Sequence, residues 1–328
     1  MGVLRFALAL LVLLSHMHIY VAGLNLGVSA VVVFYLLAGH VVCRLWERLA
    51  FQRVSDKLRW FYRDRVWRIA PLYGYALLIS LLAWALGAES YFISEGLSML
   101  ALVQNVLIVP LNYYMVSGID RFTLLPPAWS LAVELQFYLL VPLLLVRWQF
   151  AALAAALSIG VFVLAQLPLL NTDIFGYRLL PGVLFIFVVG GVWQSRDLAA
   201  SLTQVKSLLL FSLWAVITAY TGWLFMHVEW RAPYNLEVAL GFAVGFPLLV
   251  LFSRLRVAPW LHIVQRLLGA LSYGVFLLHF PAMWLLALFR PGLEHSVVAV
   301  VALTTCLAII GHFCVERPLW QRYRQMLT

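Results

Sequence analysis

The sequence predicts an all-α fold: a polytopic membrane helix bundle of about ten transmembrane helices, with both termini cytoplasmic. Three observations predict it. Of 328 residues, 65% are hydrophobic and only 11% are charged, against about 45–50% apolar and about 25% charged in a soluble domain. The apolar residues fall in runs near the ~20 residues that a span requires. The cations, finally, are shared unequally between alternate loops. Thirteen acids and 22 bases cannot cover a water-facing surface of this size, which excludes a soluble enzyme and a disordered chain. The formal charge of +9 is dispersed between apolar runs rather than gathered on a patch, so no nucleic-acid partner is expected. Cys43, Cys306 and Cys314 lie inside apolar stretches and read as small core residues, not a disulfide framework.

The elements follow in order. Residues 3–22 resemble a signal peptide, but Arg5, His16 and His18 interrupt the run and nine further spans follow, so it is kept as the first span. The second span, 27–45, ends where the basic loop 44–68 begins. The third is 68–87. The apolar segment 94–112 is broken by Asn105 and Pro110 and reads as a re-entrant or interfacial helix within a long loop. Spans four to ten follow at 127–147, 149–168, 178–194, 207–226, 236–253, 269–289 and 296–315. With an even count, eighteen of the 22 cations fall on one side and four, Arg121, Arg178, Arg231 and Arg290, on the other. The cation-rich side is the inside, and the loop 44–68 alone supplies eight of its cations. The whole of 1–328 is expected to be a single membrane-embedded domain. No convincing internal repeat is visible, which weakens the alternative of a secondary transporter or exporter of a glycan or lipid-linked sugar.

Ionisable residues inside spans are costly and point to sites. Arg5 and His16 are eleven residues apart, which returns them to within about 20° of one helix face, some 16 Å apart along the axis. Arg65 and Arg68, at i and i+3, share a face where the third span meets the membrane, and forked guanidinium groups suit phosphate oxygens. In the fourth span Ser130, Glu134 and Tyr138 repeat every four residues and form a polar stripe, with Arg178 or His16 as partner for the carboxylate. Ser272 and His279, seven apart, share a face of the ninth span beside Tyr273. Glu316, next to Arg317, reads as one half of an ion pair at a helix end.

Together these pieces resemble the acyltransferase-3 family of integral membrane acyltransferases, over essentially the whole chain. They are Arg5 with His16; Phe34-Tyr35-Leu36-Leu37-Ala38-Gly39-His40; Arg65 and Arg68 followed by Pro71 and Tyr73; Trp129 to Tyr138; Ser272-Tyr273 with Leu278-His279-Phe280-Pro281; and Glu316-Arg317-Pro318. Ala38, His40 and Leu135 depart from the family's usual Ser, Phe and Glu. The resemblance implies transfer of an acyl group, most often acetyl, from cytoplasmic acetyl-CoA or a related acyl-CoA to a hydroxyl of a carbohydrate, with no metal. The acceptor would be a surface polysaccharide or lipid-linked glycan, the lipid bilayer the setting, and the bacterial inner membrane the address. It also implies the stand-alone type, without the esterase-like domain that several relatives append. On this reading His16 is the base or a transient acyl carrier, and Arg5 guides the donor toward it. Arg63, Arg65 and Arg68 hold the phosphates of CoA. Trp129, Ser130, Glu134 and Tyr138 support the sugar, and Ser272, Tyr273, His279 and Glu316 support the site.

Overall fold

A computed structural model describes residues 1–194, 203–255 and 258–325; Arg196 and Arg256, two of the expected inside cations, lie outside them. Among the described residues nine helices are long and apolar enough to cross a membrane, or ten if one sharply bent pair is counted. The regular secondary structure of the described chain is helical, apart from an isolated bridge between Val21 and Leu24, as expected of a polytopic membrane bundle, where only helices or closed barrels satisfy every backbone group. Exposed leucines and valines such as Leu153, Leu157, Leu208, Leu209, Val216 and Val298 are the side chains such a fold turns toward lipid.

The chain divides into two compact units. The first comprises Met1–His18, Arg59–Ala132 and Val257–Thr328. Its helices are α1 (Gly2–His16), most of α3 (Val54–Ala85), α4 (Met99–Leu107), α5 (Tyr114–Ser117), the first turn of α6 (Ala128–Val146), α11 (Leu261–Phe289), α12 (Val297–Ile310) and α13 (Arg317–Gln325). Helix α1 lies along α11 and α11 along α12. The second unit, Ile19–Leu58 and Val133–Arg256, holds α2 (Leu26–Arg48), the rest of α6, α7 (Trp148–Gln166), α8 (Leu180–Gln194), α9 (Thr203–Met226) and α10 (Asn235–Arg254). Here α2 packs on both α8 and α10. The approach of α2 to α8 depends on glycine: a Cβ on Gly39 would stand 1.9 Å from the Phe187 carbonyl oxygen, and one on Gly190 2.0 Å from that of Leu36.

Three elements differ from the sequence reading. The first apolar run does not stay helical to residue 22. Helix α1 stops at His16, where the Met17 N–H closes on the Leu13 and Leu14 carbonyls, and His18 and Ala22 take φ of 58° and 51°. Fifteen residues rise only about 22 Å at 1.5 Å each, short of a ~30 Å core. Asn25 then starts α2, its side chain accepting from the Gly27 and Val28 amides. The basic stretch 44–68 is largely helix rather than loop, because α2 runs to Arg48 and α3 begins at Val54. The last run passes through a π-helical turn, Gly311–Glu316, before α13. Pro318 cannot donate the amide that would bind the Cys314 carbonyl, which accounts for a break in the regular ladder there.

The segment read as re-entrant is the bent pair, Met99–Leu107 and Val109–Ser117, folded by 104° at Ile108, whose φ is 65°. Asn105, the residue that interrupts its apolar pattern, is fully buried and fully used. Its Nδ2 donates to the Ala101 and Phe122 carbonyls at 2.9 and 3.0 Å, and its Oδ1 accepts from the Leu124 amide at 2.9 Å. The Tyr73 hydroxyl donates to its backbone carbonyl at 2.6 Å, tying the bend to α3.

Candidate active site

In the first unit α1 and α11 bring His16 and His279 together. His16 is the last residue of its helix and partly exposed, whereas His279 is fully buried. His16 Nδ1 and His279 Nε2 lie 3.0 Å apart, and His279 Nδ1 faces the Val275 carbonyl at 3.3 Å. A carbonyl can only accept, so His279 carries its proton on Nδ1 and, when neutral, accepts at Nε2. His16 therefore donates from Nδ1, which puts its lone pair on Nε2. The Phe280 ring stands 4.9 Å from the His16 ring and fixes its plane. Arg5 lies three turns away on the same helix as His16.

The second cluster of this unit lies along the first half of α3. Arg65 is held by the buried Asp64, Nη2 to Oδ2 at 2.5 Å and Nε to Oδ2 at 3.1 Å. Arg68 Nη1 donates to Glu316 Oε1 at 2.5 Å, and the other carboxylate oxygen of Glu316 meets His312 Nδ1 at 2.7 Å. The ion pair expected of Glu316 thus exists, but with a residue 248 positions away rather than with its neighbour Arg317. Arg63 lies over the Tyr323 ring at 5.2 Å, and Trp67 stacks on that ring from α3. Trp129 and Ser130 also belong to this unit, as do Ser272 and Tyr273. The Ser130 hydroxyl donates to the Pro127 carbonyl and that of Ser272 to the Gly269 carbonyl, so both serve their own helices.

In the second unit the Tyr138 hydroxyl donates to Glu134 across one turn of α6. Arg178, weighed from sequence as a partner for Glu134, is held by Asp173 at 2.6 Å. Three participants escaped the sequence reading. His312 stands four residues before Glu316, a spacing that signals contact on a helix. Asp64 is the acid set between Arg63 and Arg65, and Tyr323 carried no signal beyond its place in the amphipathic α13. Among the described residues no group of three His, Cys, Asp or Glu side chains is arranged to hold a metal ion.

Comparison with known proteins gives this geometry a family. The acyltransferase domain family matches residues 1–316. The chain belongs to it. It is a multi-pass membrane acyltransferase. It is 31% identical over 185 residues to an uncharacterized protein of Aquifex aeolicus (strain VF5), covering 56% of this chain and 80% of that one. It is 23% identical over 349 aligned positions to a protein of Bacillus subtilis (strain 168) named as a candidate peptidoglycan O-acetyltransferase. That match takes in 92% of this chain but only 52% of the relative, so the chain spans about half the length of that protein. No solved structure matches it.

Proposed function

We propose that this acyltransferase moves an acyl group, acetyl above all, from cytoplasmic acyl-CoA to a hydroxyl of a carbohydrate acceptor, with His16 as general base. The observation that carries the reading is the hydrogen bond between His16 and His279. It turns the basic nitrogen of His16 away from its partner, as acyl transfer to an alcohol requires. The acceptor hydroxyl gives its proton to His16 Nε2 while its oxygen attacks the thioester carbonyl. The C–O bond forms and an electron pair moves to the carbonyl oxygen. Collapse breaks the C–S bond, the thiolate leaves with the pair, and His16 returns the proton to it. Ester and free thiol are the products.

Arg63, Arg65 and Arg68 would receive the donor's phosphates, as forked guanidinium groups do. Arg5 would guide the donor along α1, and Trp129 would contact the sugar. Ser272, Tyr273 and His279 would support the site from α11. The carbohydrate acceptor is supported by the name of the Bacillus relative, and a bacterial cytoplasmic membrane by the two bacterial relatives. The cation asymmetry supports cytoplasmic termini, and a single catalytic domain over 1–328 completes the reading. The test uses purified protein in lipid vesicles with radiolabelled acetyl-CoA and a panel of glycans. Label should enter one glycan class as an alkali-labile ester. Absence of transfer to every glycan, with no binding of CoA, would overturn the reading.

A further inference from the structure

Arg68 is not simply a cation at the end of a span. Among the described residues its one hydrogen bond is from Nη1 to Glu316, yet a guanidinium carries five N–H donors in a fixed fork. Its side chain keeps 38% of its surface open, while that of Glu316 keeps 4%. One edge of the guanidinium is therefore pinned and the rest is presented. Glu316 cannot swing away, because its second oxygen is held by His312 on the same π turn. Helix α13, which follows the turn, is also held to α3. The buried Tyr323 of α13 stacks on Trp67, the residue before Arg68, with ring centroids 5.2 Å apart and planes 18° apart.

From this arrangement we infer that Glu316, braced by His312, is the positioning residue for Arg68 and fixes the guanidinium edge that meets a phosphate of the donor. The inference rests on the acyl-CoA reading above and extends it to residues not reached by substrate. A flexible arginine loses rotamer freedom when it binds a phosphate, whereas one already held loses little. Glu316 and His312 thus act on donor affinity through Arg68, and have no part in the chemical step.

The test measures the dissociation constant of acetyl-CoA for the full chain in lipid nanodiscs, together with thermal unfolding. Glu316→Gln and His312→Gln should each weaken binding about tenfold, the scale of one charge-assisted hydrogen bond, without lowering the unfolding temperature. In an Arg68→Ala background, Glu316→Gln should change the remaining affinity by less than about twofold, since coupled residues are not additive. A purely structural Glu316 would instead weaken both backgrounds alike. If Arg68→Ala weakens binding but neither Glu316→Gln nor His312→Gln does, positioning is refuted and the donor reading stands. Tighter binding by Glu316→Gln would make the carboxylate a competitor of the phosphate and also refute it. An Arg68→Ala variant with unchanged affinity would refute the donor reading at this residue, and the positioning role with it.

Discussion

In the proposed mechanism the two histidines divide the work of one base. His279, buried and bonded to its own backbone, has its proton fixed on Nδ1; His16, at a helix end, inherits the complementary tautomer through a 3.0 Å contact. Replacing His279 with Leu removes the acceptor for His16 Nδ1 and lets the imidazole turn over. We expect kcat to fall by about 10²-fold, the scale of general-base catalysis, while the affinity for acetyl-CoA holds. His279→Gln, whose amide oxygen can still accept, should recover part of that loss; equal rates in wild type and His279→Leu would show that the pairing does not set the tautomer. At this scale the sequence was informative in a specific way. Spacing on one helix exposed Arg5 with His16 and Ser272 with His279, since 3.6-residue geometry is local. It could not pair His16 with His279, or Arg68 with Glu316, because no periodicity links residues more than 200 positions apart.

Among the elements, the small residues of α2 and α8 decide how closely the two helices meet. The signature around residues 34–40 differs from its family at Ala38 and His40 but keeps Gly39, and the structure gives the reason: a carbonyl oxygen occupies the space of a side chain there. Gly39→Val must therefore push α2 from α8, at about 1–3 kcal/mol. Thermal unfolding in detergent should show the loss, and an unchanged midpoint would mean that the helices do not pack this closely. Most spans were legible because lipid demands long apolar runs. The first was overestimated for a related reason: hydropathy continues past His16, but the backbone turns at His18 and Ala22, and apolarity does not report a turn. The basic stretch was misjudged in the opposite sense. Its charges read as a loop, yet Lys and Arg favour helix well and α3 forms through them.

On the scale of the whole molecule, composition alone placed the chain in a membrane, and the family match across residues 1–316 gives it its chemistry. The described residues hold their polar groups in separate clusters, to which the proposed function gives different duties. The first unit holds the His16–His279 imidazole pair and a cluster of arginines restrained by carboxylates; the second holds the Glu134–Tyr138 and Arg178–Asp173 pairs. Proton transfer and donor binding should consequently fail separately. The most direct measurement compares His16→Ala with wild type in vesicles, following transfer of radiolabelled acetyl to the acceptor glycan alongside binding of acetyl-CoA. The account requires His16→Ala to bind acetyl-CoA within about twofold of wild type, as residues without shared partners permit, and to transfer no label. Label transferred at the wild-type rate would contradict it.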